Sequence, residues 1–257
     1  MTDCSHPGST PLDRTGLEKQ VNRFLSQPTV DQAIGEVYRR LPPAAAVYLV
    51  GGAIRNLAID AIHGYRPETR DLDLFINRVG KDTVLSERFP KDRFEPTDLG
   101  GIRWRPEGCG YDMDLCLMKD FVVLVKLKRS PTLDHLLETL DFTMNTLVYD
   151  LKQKRLYERN ALADIRRRLL EFNTRTFYTR LATCYRALLL RHKTGFIFSE
   201  AVFHFLHSEV DVDTLIEARR LFRSRHGKVM AEAILDDYDR VSTSRSYDDY
   251  LRRHRES

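Results

Sequence analysis

The stretch from Val47 to Asn77, VYLVGGAIRNLAIDAIHGYRPETRDLDLFIN, constrains the chain more than any other. The apolar run Val47 to Val50 ends abruptly at Gly51-Gly52, and Ile54, Leu57, Ala58 and Ala61 then recur at helical spacings. Gly64 and Pro67 mark a loop, after which Asp71 and Asp73 alternate with Leu72 and Leu74. The pattern is strand, Gly-Gly turn, helix, loop, strand. Residues two apart on a strand share a face, so the two carboxylates point the same way. Neighbouring like charges on an apolar strand are costly without a cation between them. A divalent ion is the natural one, because magnesium prefers carboxylate oxygens. The Gly-Gly turn offers backbone N–H groups and a helix N-terminus, which suit phosphate. Carboxylates for metal beside amides for phosphate point to a nucleotide-handling site. Each half taken alone also has a plainer reading, as a tight turn or a solvated strand edge.

Two further stretches carry chemistry. Ile102 to Arg105 and Tyr111 to Met118 read as strands joined by the turn Pro106 to Gly110, a hairpin. The second of them again places two carboxylates, Asp112 and Asp114, on one face. In TLDHLLETLDFTMNTLVYD, residues 132 to 150, Leu133, Leu136, Leu137 and Leu140 predict an amphipathic helix. If that helix runs through Asn145, Asp141 and Asn145 lie four apart on one face. They can then present hydrogen-bonding groups to a ribose or phosphate, or simply end the helix.

Gly51-Gly52-Ala53-Ile54-Arg55 followed by Arg70-Asp71-Leu72-Asp73-Leu74 resembles the head of the class II CCA-adding enzymes and bacterial poly(A) polymerases. Those proteins belong to the DNA polymerase beta-like nucleotidyltransferase superfamily. Asp141 to Leu147 resembles their second motif, usually Arg-Arg-Asp-Phe-Thr-Ile-Asn-Ala-Leu. The resemblance covers roughly residues 45 to 196. It implies an α/β (α+β) head with a mixed, mainly antiparallel sheet, followed by an all-helical neck and C-terminal bundle. The expected boundaries are 1–11 disordered, 12–165 head and 166–257 helical. It implies nucleotidyl transfer from a nucleoside triphosphate (ATP and/or CTP) to a hydroxyl, on an RNA such as a tRNA-like 3′ end. Asp71, Asp73 and Asp114 would be the catalytic carboxylates and hold two magnesium ions. The family sets its third carboxylate between apolar residues inside the strand, as Asp114 lies between Met113 and Leu115, while Asp112 at the strand entrance remains the alternative. Gly51, Gly52, Arg55, Asp141, Asn145 and Arg186 would bind the nucleotide. A protein or small-molecule acceptor, and a non-catalytic RNA-binding relative, are the competing readings.

The departures from the family are specific. Asn56 stands where the family has an acidic residue, and Thr139-Leu140 replaces the two arginines before Asp141. The family's Glu-Asp-x-x-Arg, which selects the incoming base, should fall near Thr179 to Thr183, where this chain reads Thr-Arg-Leu-Ala-Thr. The amino-acid template is therefore missing, and specificity is expected to rest on something else. Family members also continue into a body and tail beyond the neck, which this sequence does not include.

Around the core unit, Leu17 to Leu25 and Val30 to Leu41 predict two helices, and Lys81 to Arg88 a short one. Val148 to Asp150 and Arg155 to Tyr157 complete the sheet, and the pattern is helical from Thr176 onward. Phe177 to Lys193 forms the longest helix, and four more follow over 199–208, 211–224, 227–241 and 246–254. The 257 residues, 42% hydrophobic and 30% charged, suit a globular protein with a sizeable core. Phe121 to Val125 is far too short to span a bilayer, and the N-terminus has no signal-peptide pattern. Cys4, Cys109, Cys116 and Cys184 show no C-x-x-C spacing, so neither a zinc site nor a disulfide framework is indicated and a reducing cytoplasm is expected. The net charge of +4 is uneven: residues 151–257 hold 22 Lys and Arg against 15 Asp and Glu. That asymmetry suits a grip on a polyanion, although charged surface helices also serve solubility alone.

Overall fold

A computed structural model describes residues 13–90 and 93–255 of the chain. The expected disordered segment, 1–11, lies outside these residues. A seven-stranded mixed sheet in the order β3-β4-β5-β2-β1-β6-β7 forms the centre. Its strands are β1 (Ala46–Val50), β2 (Asp71–Asn77), β3 (Phe94–Pro96), β4 (Ile102–Trp104), β5 (Asp112–Leu117), β6 (Leu147–Asp150) and β7 (Arg155–Glu158). Within this sheet only β2 and β5 pair in parallel, so the expected mainly antiparallel character holds. The hairpin read from the sequence is β4–β5. Gly101 at its start is sterically required, since a Cβ there would sit 2.2 Å from the Leu115 carbonyl oxygen.

Strand periodicity divides the sheet into two faces. Leu72, Leu74 and Ile76 of β2, with Met113 and Leu115 of β5, are buried in the main core. Each such side chain contributes about 2 kcal/mol, so the carboxylate-bearing strands are held from their apolar side. Helices α1 (Arg14–Leu25), α2 (Pro28–Arg40) and α3 (Gly52–His63) contribute Leu17, Val21, Val37, Ile54 and Ile59 to that core. Asp13 caps α1 by accepting from the Gly16 N–H at 2.7 Å, and proline opens α2 at its first position. On the other face, Phe75, Cys116, Val50 and Val148 pack with α4 (Val122–Lys126) and α5 (Leu133–Thr139). This second layer covers the far half of the sheet and leaves the N-terminal ends of β2 and β5 open, where the carboxylates lie.

Several elements differ from expectation. Leu140 turns to an extended backbone (φ −71°, ψ 144°), so α5 ends at Thr139 and Thr143–Asn145 forms a single 3₁₀ turn. Residues 81–88 contain only the 3₁₀ turn Leu85–Glu87. The longest expected helix begins three residues late, as α7 (Arg180–Thr194), because Thr179 accepts from the Ala182 N–H at 3.1 Å. The C-terminal part is not purely helical either. After α6 (Ala161–Arg166), β8 (Leu169–Leu170) pairs in parallel with β9 (Ile197–Phe198) on the far side of α7.

Beyond β9 come α8 (Glu200–His204), a π turn over Phe205–Glu209, α9 (Val212–Ser242) and α10 (Tyr247–Arg255). α9 breaks at Gly227 (φ 79°, ψ 166°), which separates the two helices expected there. α7 packs on α9 through Tyr185 and Phe222, whose rings stack with centroids 4.5 Å apart. Buried Arg191 donates to the Gly195 and Phe196 carbonyls at 2.6 and 2.8 Å and pairs with Asp237 at 3.1 Å, tying the end of α7 to β9 and α9.

Candidate active site

Gly51 ends β1 with φ 66° and ψ −114°, a conformation that glycine alone adopts readily. Its amide donates to the Leu147 carbonyl at 2.9 Å, and α3 starts at the next residue. Arg55 lies one turn into α3 and is 6% exposed. Its Nη1 donates to Asn145 Oδ1 at 2.6 Å and its Nε to Asn56 Oδ1 at 3.0 Å. Asn56 Nδ2 in turn donates to the Glu68 carbonyl and Thr69 Oγ1, both at 3.1 Å. An acidic side chain has no proton for those two acceptors, so the departure at position 56 fastens α3 to the loop before Asp71.

Asp141 and Asn145 meet although no helix joins them. Asp141 Oδ1 accepts from Asn145 Nδ2 and from the Phe142 N–H, each at 2.9 Å. Asp141 Oδ2 accepts from Nε of Arg186 on α7. A continuous polar series thus runs Arg55–Asn145–Asp141–Arg186, linking α3, the 3₁₀ turn and α7. Burial raises the Asp141 pKa, but the Arg186 charge and the hydrogen bonds from Arg186, Asn145 and Phe142 outweigh it and hold it below the ordinary carboxylate value. Burial and the repulsion of Arg186 push Arg55 down to about 10, with Asp141, Asp73 and Asp71 opposing. Arg55 is therefore still a cation at neutral pH.

The parallel register sets Asp71 beside Asp112 and Asp73 beside Asp114, which puts four carboxylates on one face of two adjacent strands. Burial, Asp71 and Asp114 together push Asp73 up to about 7. Arg103 and Arg105, which the sequence reading did not single out, face this group from β4 and the turn after it. Arg103 Nε and Nη2 donate to the two oxygens of Asp114, each at 2.7 Å, and Nη2 lies 3.5 Å from Asp71 Oδ2. Arg105 Nε is 3.5 Å from Asp112 Oδ2. Asp71 and Asp73 suit a divalent ion by donor chemistry and by the deficit of positive charge that raises Asp73. Asp114 does not complete that set while Arg103 holds both its oxygens. Among the described residues, no three His, Cys, Asp or Glu side chains are grouped so as to hold one ion.

Basic side chains line the approach. Lys193, near the end of α7, lies within electrostatic reach of Arg55, Asp71, Arg70 and Glu68, and burial with Arg55 lowers its pKa. His226 of α9, lowered by burial, feels Lys193, Arg225, Arg70 and His192. Below Asp141, whose carbonyl accepts from the Asn173 and Thr174 amides, a cleft of about 720 Å³ is lined by Phe172, Tyr178, Arg180, Thr183 and Phe205 among others.

No protein-family model matches the chain. No curated protein matches it in sequence either. Solved structures do match in fold. A CCA-adding enzyme in complex with CTP superposes with a TM-score of 0.56 at 16% identity, covering 89% of this chain and 55% of that one. A CCA-adding enzyme with ATP gives 0.52 at 15%, covering 92% and 69%. A tRNA nucleotidyltransferase with a primer tRNA and an incoming ATP analogue gives 0.51 at 16%, covering 80% and 60%. The chain thus has the α/β fold of these nucleotidyltransferases with a helical C-terminal region, and it spans about half to two thirds of their length. Among the described residues no helix is long and apolar enough to cross a membrane.

Proposed function

We propose that the chain is a divalent-metal-dependent nucleotidyltransferase that moves a nucleoside monophosphate from a nucleoside triphosphate to an RNA 3′ hydroxyl. The observation that carries this reading is the hydrogen-bonded series Arg55–Asn145–Asp141–Arg186, which closes on the same rim as Gly51-Gly52 and the Asp71–Asp73 pair. The amides at the Gly51-Gly52 turn and the Arg55 guanidinium receive the triphosphate. Asn145 and Asp141 fix Arg55 and Arg186 so that neither must reorganise when charge develops on the phosphate. Magnesium held by Asp71 and Asp73 would neutralise the triphosphate charge. Asp114 joins them only if Arg103 releases it. Positioning and charge neutralisation supply most of the acceleration in phosphoryl chemistry, and these are the properties of this rim.

An RNA acceptor is supported by the cations beside the site, Arg70, Lys193 and Arg225, and by the basic balance of residues 151–257. The solved structures of like fold that hold CTP, ATP or a primer tRNA support nucleoside triphosphate and RNA as partners.

Base choice follows another rule than the family template. Of the α7 residues facing this region, Arg180 pairs with Asp211, Arg186 with Asp141, and Thr183 is buried at 6% exposure. Among the described residues of α7, no Asp and Arg pair stands ready to read a base edge, and a pocket without such groups discriminates weakly. Sequencing the 3′ ends of tRNA lacking CCA after reaction tests both statements. The expected product carries one or a few added nucleotides, in proportions altered by Arg180→Ala or Arg186→Ala. Faithful addition of C, C and A followed by a stop contradicts the specificity reading. No addition to any RNA contradicts the acceptor.

A further inference from the structure

Resting on the reading above, we infer that Arg103 is a resident cation of the active site, taking the place of one of the two metal ions expected there, so that the loaded site holds a single divalent ion at Asp71 and Asp73. The antiparallel register pairs Arg103 directly with Asp114, so the two side chains leave neighbouring strands on the same face. The guanidinium meets the carboxylate fork to fork, both contacts at 2.7 Å, the geometry in which arginine binds carboxylate most strongly. The third contact, 3.5 Å to Asp71, points the remaining charge at the pair that would hold the ion. The pattern repeats one pleat away, where Arg105 faces Asp112 and also binds Glu95 at 2.8 Å. Two of the four carboxylates on this face are thereby paired with arginine from β4 and the turn after it, which leaves Asp71 and Asp73 to one dication.

The position is anchored as well as charged. Trp104, the next residue along β4, turns to the opposite face and is buried at 3% exposure. Gly101 holds β4 against the Leu115 carbonyl more closely than any other residue type could. An arginine side chain does not lose its proton in proteins, so Arg103 stays charged at every working pH. A dication shared by Asp114 and Asp71 would have to displace a bidentate ion pair and then sit beside the displaced charge.

Counting bound Mn²⁺ tests this without relying on turnover. The full chain is dialysed to equilibrium against Mn²⁺ with a saturating ATP analogue whose α,β-bridge cannot be cleaved, equal on both sides. Bound analogue and excess Mn²⁺ are measured, and electron paramagnetic resonance reports whether ions about 4 Å apart are spin-coupled. The expected result is one uncoupled Mn²⁺ per bound analogue for the wild type and for Arg103→Lys, and a second, coupled ion for Arg103→Ala. Two coupled ions in the wild type overturn the inference while leaving the nucleotide site intact. A single ion in Arg103→Ala also overturns it, because Arg103 is then not what excludes the second. Analogue failing to bind the folded wild type strikes the nucleotidyltransferase reading itself, and this inference with it.

Discussion

Arg55 Nη1 donates to Asn145 Oδ1 at 2.6 Å, across 90 residues of sequence, and joins the helix after the Gly-Gly turn to the second motif. Both residues are almost fully buried, so Arg55 has little water to fall back on. Asn145→Ala should therefore cost about 2 kcal/mol of stability, the penalty of leaving a buried donor without an acceptor. It should also weaken nucleotide binding. A urea titration of Asn145→Ala, Arg55→Met and the double variant checks this: the double should cost less than the sum of the two singles. Strict additivity would show that the contact contributes nothing.

Asp141 makes the next link, and its depressed pKa fixes the sign of a pH effect. Its ion pair with Arg186 stabilises the folded state above the ordinary carboxylate pKa, and that stability is lost as the pH falls through the depressed value. Arg186 is 47% exposed, so solvent screening limits the contribution to about 1–2 kcal/mol. Asp141→Asn should be less stable than the wild type by that amount at pH 7, with the difference vanishing in acid. Chemical denaturation across the acid range reads it directly.

Asp73 behaves in the opposite sense. Its folded pKa is raised to about 7 by burial, Asp71 and Asp114, so the folded state keeps a proton that the unfolded chain releases. Without metal, stability should therefore fall as the pH rises from about 4 to about 7. Asp73→Asn removes that slope. At pH 8 in chelator it should stabilise the fold by about 2 kcal/mol, after discounting the full shift for partial exposure. The same substitution should abolish transfer in magnesium. A parallel pH dependence in wild type and variant would contradict the assigned cause.

Gly51→Ala tests the turn. A Cβ at Gly51 would meet only the Asn145 carbonyl oxygen, at an ordinary 3.8 Å, so the cost comes from the backbone conformation and not from a clash. About 1–3 kcal/mol of destabilisation is expected. Nucleotide affinity should fall with it, because the turn presents the first amides of α3. Calorimetric unfolding and a nucleotide titration on the same preparation separate the two effects.

The legible parts of the fold were those written in local periodicity. β1, the Gly-Gly turn, α3 and β2 each carry their own pattern, and the turn at 106–110 announces the β4–β5 hairpin. β3, three residues ending in Pro96, and the two-residue strands β8 and β9 are too short to carry a period. The helix stops before Leu140 and does not run on through Asn145, yet Asp141 and Asn145 still meet, because the 3₁₀ turn brings position 145 back to the Asp141 carboxylate. Arg103 was readable in principle: it and Asp114 lie nearly symmetrically about the hairpin turn, which fixes them as a cross-strand pair. Lys193 and His226 were not, since only the packing of α7 on α9 brings them to the rim.

The most direct test of the account is incubation with each α-labelled nucleoside triphosphate, magnesium and total RNA, followed by separation of RNA from protein. The wild type should place label at RNA 3′ ends, and Asp73→Asn, folded and at least as stable, should place none. Label appearing in neither RNA nor protein with any nucleotide, or equal labelling by wild type and Asp73→Asn, would contradict a nucleotidyltransferase centred on this site.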